Sequence, residues 1–140
     1  MKYVRFMNSE NEVGYGLIQG EKIQLLDGNF LDLLSKPTDT WLSLDEVTLL
    51  APVQPSKVIC VGLNYALHIK EMNHSLPEDP VLFMKPLSCV IGPDEEIIYP
   101  KISQRVDYEA ELAVVIGATL KDVTEEEATK GISGIPALTT

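Results

Sequence analysis

Two pairs of side chains have the types and the spacing to do chemistry. His68 and Glu71 stand three apart in the run Ala66–Met72, which reads as a helix, so they share one helical face. A carboxylate beside an imidazole orients the ring and raises its basicity, which suits a general base. Glu109 and Glu111 lie in Val106–Gly117, a run rich in β-branched and aromatic residues that reads as one β-strand ending at a glycine. Side chains alternate faces along a strand. Asp107, Glu109 and Glu111 therefore share a face, which turns apolar at Ala113 and Val115. Tyr108, Ala110, Leu112, Val114 and Ile116 form the other face and read as core. Carboxylates one pleat apart, about 6–7 Å at their Cα atoms, can converge on one cation. Each feature also has a plainer reading. A His/Glu pair at this spacing describes a solvated helix face, and outward acids on an edge strand block edge-to-edge aggregation.

These residues depend on several short elements. Lys57–Gly62 is an apolar run of the fully buried strand type, and Gly62-Leu63-Asn64-Tyr65 turns it into the helix that carries His68. Val81–Met84 is the next apolar strand, closed by Lys85-Pro86. A lysine at a strand end either contacts a substrate anion or reaches solvent. Cys89-Val90-Ile91 runs into a turn at Asp94–Glu96, and Ile97–Tyr99 continues the series of antiparallel strands up to Pro100. Arg105 pairs with a neighbouring carboxylate or a substrate, or lies on the surface, and His74 reads as surface. Thr124 followed by Glu127 is a capping box, with acids in the first turn of a helix that ends near Gly131 or Gly134. Ile135–Thr140 begins another strand.

Residues 1 to about 50 read as a small β-rich unit with no chemistry of its own. Lys2–Met7, Val13–Gln19, Lys22–Leu26 and Val47–Leu50 are its strands, with turns at Asn8–Glu12, Gly20-Glu21 and Asp27-Gly28. Phe30–Leu34 reads as one or two helical turns, and Trp41 as packing within a loop. Pro52 and Pro55 bracket the boundary, dividing the chain into 1–51 and 52–140.

Composition narrows the function classes. The chain has 140 residues and a formal net charge of -10, which argues against nucleic acid and anionic membrane surfaces as partners. No apolar run is long enough for a membrane-spanning helix, and the first residues lack the apolar core of a signal peptide. Cys60 and Cys89 form no CxxC pair and read as buried thiols, an expectation that goes with a cytoplasmic protein. There is no phosphate-binding glycine loop and no GxSxG elbow.

Three segments, in this order and spacing, resemble the fumarylacetoacetate hydrolase family. They are Lys57-Val-Ile-Cys-Val-Gly-Leu-Asn-Tyr-Ala-Leu-His-Ile-Lys-Glu-Met72, Pro80-Val-Leu-Phe-Met-Lys-Pro-Leu-Ser88 and Arg105-Val-Asp-Tyr-Glu-Ala-Glu-Leu-Ala-Val-Val-Ile-Gly117. The resemblance implies a mainly β fold with short helices (α+β), a partial β-roll preceded by the small N-terminal domain. It implies an enzyme that hydrolyses, decarboxylates or isomerises acylpyruvate-like or 2-oxo dicarboxylic substrates, acts as a homodimer, and uses Mg²⁺ or Mn²⁺, with Ca²⁺ as a third candidate. His68 and Glu71 would be the catalytic dyad and Glu109 and Glu111 the metal ligands. Lys85, Asn64 and Tyr65 would border the substrate, and Asp107 would support the site from behind. The family's third ligand is an Asp whose position falls near Thr140, so the chain reads as truncated. The alternative function is a non-catalytic scaffold or weak cation-binding interaction protein that lacks this ligand.

Overall fold

The computed structural model describes residues 1–32 and 34–139. Thr140, the position read as the third ligand, and Leu33, within the expected helical turns, lie outside them. Among the described residues the protein is mainly β with two short α-helices.

Strands β1 (Lys2–Met7), β2 (Val13–Gln19), β3 (Lys22–Leu26), β4 (Pro37–Ser43) and β5 (Thr48–Leu50) form one sheet in the order β4-β3-β2-β1-β5. The β1–β2 turn is closed by Asn8, whose Oδ1 accepts from the backbone N–H groups of Glu10 (3.0 Å) and Glu12 (2.9 Å). Gly20 supplies the positive φ of 62° at the tight β2–β3 turn, a conformation that side chains with a Cβ resist. On one face, Phe6 and Ile23 are fully buried. Gly14 lies across from Phe6 and leaves room for its ring, and Gly16, across from Leu25, leaves room for the Ile23 side chain. On the other face Leu17 is buried, and the Phe30 ring centroid lies 5.2 Å from Tyr3 and 5.8 Å from Tyr15.

Two expectations fail here. Trp41 is in β4, paired with Gln24, rather than in a loop; the threonines around it suit a strand. The described residues of the stretch read as helical turns, 30–32 and 34, are turns and bends rather than helix. Asn29 and Asp32 side chains accept from the backbone N–H groups of Leu31 and Leu34, both at 3.0 Å, and such local bonds compete with helix formation.

Beyond residue 51, β6 (Val58–Gly62) pairs antiparallel with β7 (Val81–Lys85), and α1 (Ala66–Glu71) lies between them in sequence. Leu87–Cys89 is a single 3₁₀ turn. The remaining elements are β8 (Ala110–Leu112), β9 (Val115–Ile116), α2 (Glu125–Lys130), β10 (Ile132–Gly134) and β11 (Ala137–Thr139), with β8 on β11 and β9 on β10. The capping box forms as expected. Thr124 Oγ1 accepts from Glu127 N–H at 3.3 Å, and the Glu127 carboxylate accepts from Thr124 N–H at 2.9 Å.

The expected single strand over 106–117 is broken. Residues 106–109 are not strand, and β8 and β9 pair with different partners. The cause is in the facing segment. Pro136 has no N–H to offer the ladder, the register shifts between Ile132 and Gly134, and Pro136 contributes only its carbonyl, to Ala113 N–H at 2.9 Å. Ile97–Tyr99 is not a strand either.

The expected core face is also uncovered. Tyr108, Leu112, Val114 and Ile116 are all exposed. β6 is half-exposed rather than fully buried, Cys89 is exposed and Cys60 only half-buried. For β6, β8 and β9 the reason is shared: they sit in two-stranded ladders, and their apolar side chains are left uncovered among the described residues. Ile69 of α1 is the one buried hydrophobic residue beyond the first sheet among the described residues.

Candidate active site

The turn out of β6 sets the position of α1. Leu63 takes a positive φ of 53°, which swings the chain away from the strand at Gly62. Tyr65 is the N-cap residue, extended at φ -112°, and its carbonyl accepts from Ile69 N–H at 3.0 Å. Burial of Ile69 then fixes the rotation of this six-residue helix and leaves His68 and Glu71 on its outer side.

His68 lies between two carboxylates. Its Nδ1 is 3.7 Å from Glu71 Oε2, and its Nε2 is 3.6 Å from Glu109 Oε1. Both separations exceed hydrogen-bond length but are within Coulombic reach. All three side chains keep substantial contact with solvent, so the attractions are partly screened. Glu109 directly precedes β8. Glu111 sits within β8 opposite Leu138 and is half-buried. The tertiary structure thus joins the helix pair to the first of the two expected metal ligands. Sequence spacing links His68 only to Glu71, and Glu109 only to Glu111 as a carboxylate one pleat away; neither spacing carries the distance between the two pairs.

The other expected site residues are more loosely placed. Asn64 and Tyr65 are exposed in the turn before α1, with no side-chain hydrogen bond among the described residues. Lys85 is half-buried at the end of β7, opposite Val58. Asp107 is held by Arg105, whose Nε donates to Asp107 Oδ1 at 2.9 Å. His74 is exposed, as expected. A hollow of about 400 Å³ beside α1 is lined by Ala66, Ile69, Lys70, Asn73, His74 and Leu76. It includes none of the paired acid and base groups.

The donor chemistry bears on a metal. Glu109 and Glu111 offer hard oxygen ligands, and Mg²⁺ is commonly held by one or two protein carboxylates with water and substrate filling the remaining positions. No cluster of three or more metal-ligating side chains forms among the described residues. The two glutamates thus fit the ligand type, with other oxygens left to complete the coordination.

Comparison with known proteins gives consistent relatives. Residues 57–139 match the model of the fumarylacetoacetate (FAA) hydrolase C-terminal domain, and residues 1–52 match an Rv2993c-like N-terminal model. Protein MJ1656 of Methanocaldococcus jannaschii is 44% identical over 119 residues, 85% of this chain and 47% of its own length. The human mitochondrial oxaloacetate tautomerase FAHD2A is 47% identical over 94 residues, 66% of this chain and 30% of its own. Among solved structures, the 5-carboxymethyl-2-hydroxymuconate delta-isomerase of Mycobacterium smegmatis superposes with a TM-score of 0.85 at 34% identity, covering 99% of this chain and 54% of that one. The chain spans about half, or less, of the length of these relatives.

Proposed function

The chain belongs to the fumarylacetoacetate hydrolase family, and on that premise we propose that it serves proton transfer on small 2-oxo or 2-hydroxy dicarboxylic acids, with keto–enol isomerisation as the reaction. The observation that carries this reading is His68 held between Glu71 and Glu109 at 3.7 and 3.6 Å. The reactions named for its relatives, oxaloacetate tautomerisation and 5-carboxymethyl-2-hydroxymuconate isomerisation, both move a proton without net oxidation. A single base that takes a proton from one atom and returns it to another is sufficient for that.

In this reading Glu71 faces Nδ1, orients the ring and stabilises the imidazolium. Nε2, on the side of Glu109 and Glu111, takes the proton from the carbon beside the substrate carbonyl and delivers it to the carbonyl oxygen, so ketone becomes enol with atoms and charge conserved. Glu109 and Glu111 would hold a divalent cation, Mg²⁺ or Mn²⁺, which supplies positive charge to offset the charge developing on the 2-oxo acid. Asn64, Tyr65 and Lys85 would contact the substrate's polar groups, and residues 1–51 would form a separate domain. Hydrolysis or decarboxylation of a carbon–carbon bond would use the same base.

A second reading has its own support. The lack of a three-ligand cluster among the described residues favours a scaffold that binds cations weakly and catalyses nothing. One assay separates the two. Oxaloacetate interconversion is followed by the ultraviolet absorbance of the enol, with Mg²⁺ or Mn²⁺ present, for the protein and for His68→Ala. A rate above that of metal alone, falling about 10²–10⁴-fold in His68→Ala, supports the enzyme. No rate above metal alone, or an unchanged rate in the variant, refutes it.

A further inference from the structure

A cleft of about 310 Å³ lies at the seam between the first sheet and the chain beyond it. One side is made by Arg5 of β1, Leu50 of β5, and Ala51 and Val53 just after that strand. The other side includes Val90 and Glu95, which follow the 3₁₀ turn. The cleft thus straddles the two matched segments, 1–52 and 57–139. It shares no residue with the His68 cluster. Its volume is at the small end of the range for ligand pockets.

The seam is closed at Gly92. A Cβ there would lie 3.1 Å from Ala51 N, 3.2 Å from Leu49 O and 3.1 Å from Glu95 Oε1. These are tighter than a Cβ normally makes, and two of them are to backbone, so glycine is what lets this loop meet the end of β5. Ala51 is also the neighbour of the opposite charge. Arg5 Nη1 donates to the Ala51 carbonyl at 3.3 Å, the one side-chain hydrogen bond of this arginine among the described residues. A cation and an anion therefore flank the same residue. They do not meet: Arg5 forms no ion pair among the described residues, and its Nε is buried without an acceptor. Buried N–H groups left unpaired are rare, because leaving water forfeits a hydrogen bond. A guanidinium offers its donors in a planar fork that matches a carboxylate.

We propose that this cleft binds a free aliphatic α-amino acid, with its carboxylate on Arg5, its ammonium on Glu95 and its side chain against Leu50, Val53 and Val90. Charge selects the class. A simple carboxylate answers Arg5 but is repelled by Glu95, and a simple amine does the reverse; a zwitterion answers both. A polar side chain would lose its water against the aliphatic wall. An ordered water could satisfy Nε, but it would leave the wall bare and the two charges unbridged. The ligand touches both sides of the seam, so its binding holds the first sheet against the loop that follows β7.

The test is a nuclear magnetic resonance titration of the full chain with leucine, and with isocaproate, which has the same carbon skeleton without the ammonium. Leucine should give saturable shifts at the backbone amides of Arg5, Ala51 and Gly92, and isocaproate should bind about threefold or more weakly. Arg5→Gln should weaken leucine about tenfold or more. Glu95→Gln should weaken leucine about threefold or more and abolish the preference over isocaproate. Glu95 lies on an exposed loop, so this second variant decides the matter should Arg5→Gln fail to fold. His68→Ala should leave leucine binding unchanged, which separates this site from the proposed reaction: either can fail without the other. The proposal is overturned by the absence of saturable shifts with leucine near its solubility limit, by shifts confined to other parts of the chain, by equal binding of the two ligands, by indifference to Glu95→Gln, or by loss of binding in His68→Ala.

Discussion

Replacing Gly14 with alanine should destabilise the first sheet through one contact that can be worked out in advance. A Cβ at Gly14 would lie 2.8 Å from Phe6 Cε2 and 3.1 Å from Cε1, and its tightest contact would be with Cζ. Real Cβ atoms do not approach a ring so closely, so the ring must move. It has little space to do so: Phe6 is 2% exposed and Ile23, on the same face, is 0% exposed. Overpacking of this kind costs about 1–3 kcal/mol. Alanine also narrows the unfolded ensemble, which offsets about 0.4–1 kcal/mol. The net expectation is a loss of about 1–2 kcal/mol. Trp41 is the single tryptophan and lies in β4 of this sheet, so its fluorescence during urea unfolding reports the relevant transition. In a Phe6→Leu background the ring is gone and the added methyl has room. The Gly14→Ala cost should then shrink by at least about 1 kcal/mol, the coupling energy of residues in contact. A Gly14→Ala effect below about 0.5 kcal/mol, or additivity with Phe6→Leu, would refute the packing argument.

Two further substitutions probe the site and the second helix. Glu71→Gln should lower turnover by about tenfold or less, because an attraction at 3.7 Å between solvent-exposed groups is worth at most about 1 kcal/mol; a loss as large as that of His68→Ala would give Glu71 a direct part in the proton transfer. In α2, the hydrogen bonds from Thr124 N–H and Oγ1 hold the Glu127 carboxyl below the ordinary glutamate value. A lowered folded-state pKa contributes stability that is present above the unfolded value and lost as pH falls through the folded one. Nuclear magnetic resonance titration should show α2 loosening as Glu127 protonates, and Thr124→Ala should move that titration upward; an unmoved midpoint would exclude the capping bonds as its cause.

Local chemistry was legible from residue order alone. The strands of the first sheet other than β4 follow from their apolar runs and from turn residues such as Asn8 and Gly20, α1 from its run of helix formers, and α2 from the Thr124–Glu127 box. Each signal acts within a few residues, where backbone sterics and short hydrogen bonds decide conformation. The pairing of His68 with Glu71 is of the same kind, since one helical turn sets it. The approach of His68 to Glu109 is not, because 40 intervening positions and the β6 turn at Leu63 must place it. The break between β8 and β9 belongs to the tertiary level too: it arises from Pro136 on a facing segment, which no pattern within Val106–Gly117 can register. Burial was misread for a related reason. Alternation identifies which face of Tyr108–Ile116 is apolar, but whether that face is covered depends on a second layer of structure, and none lies over it among the described residues.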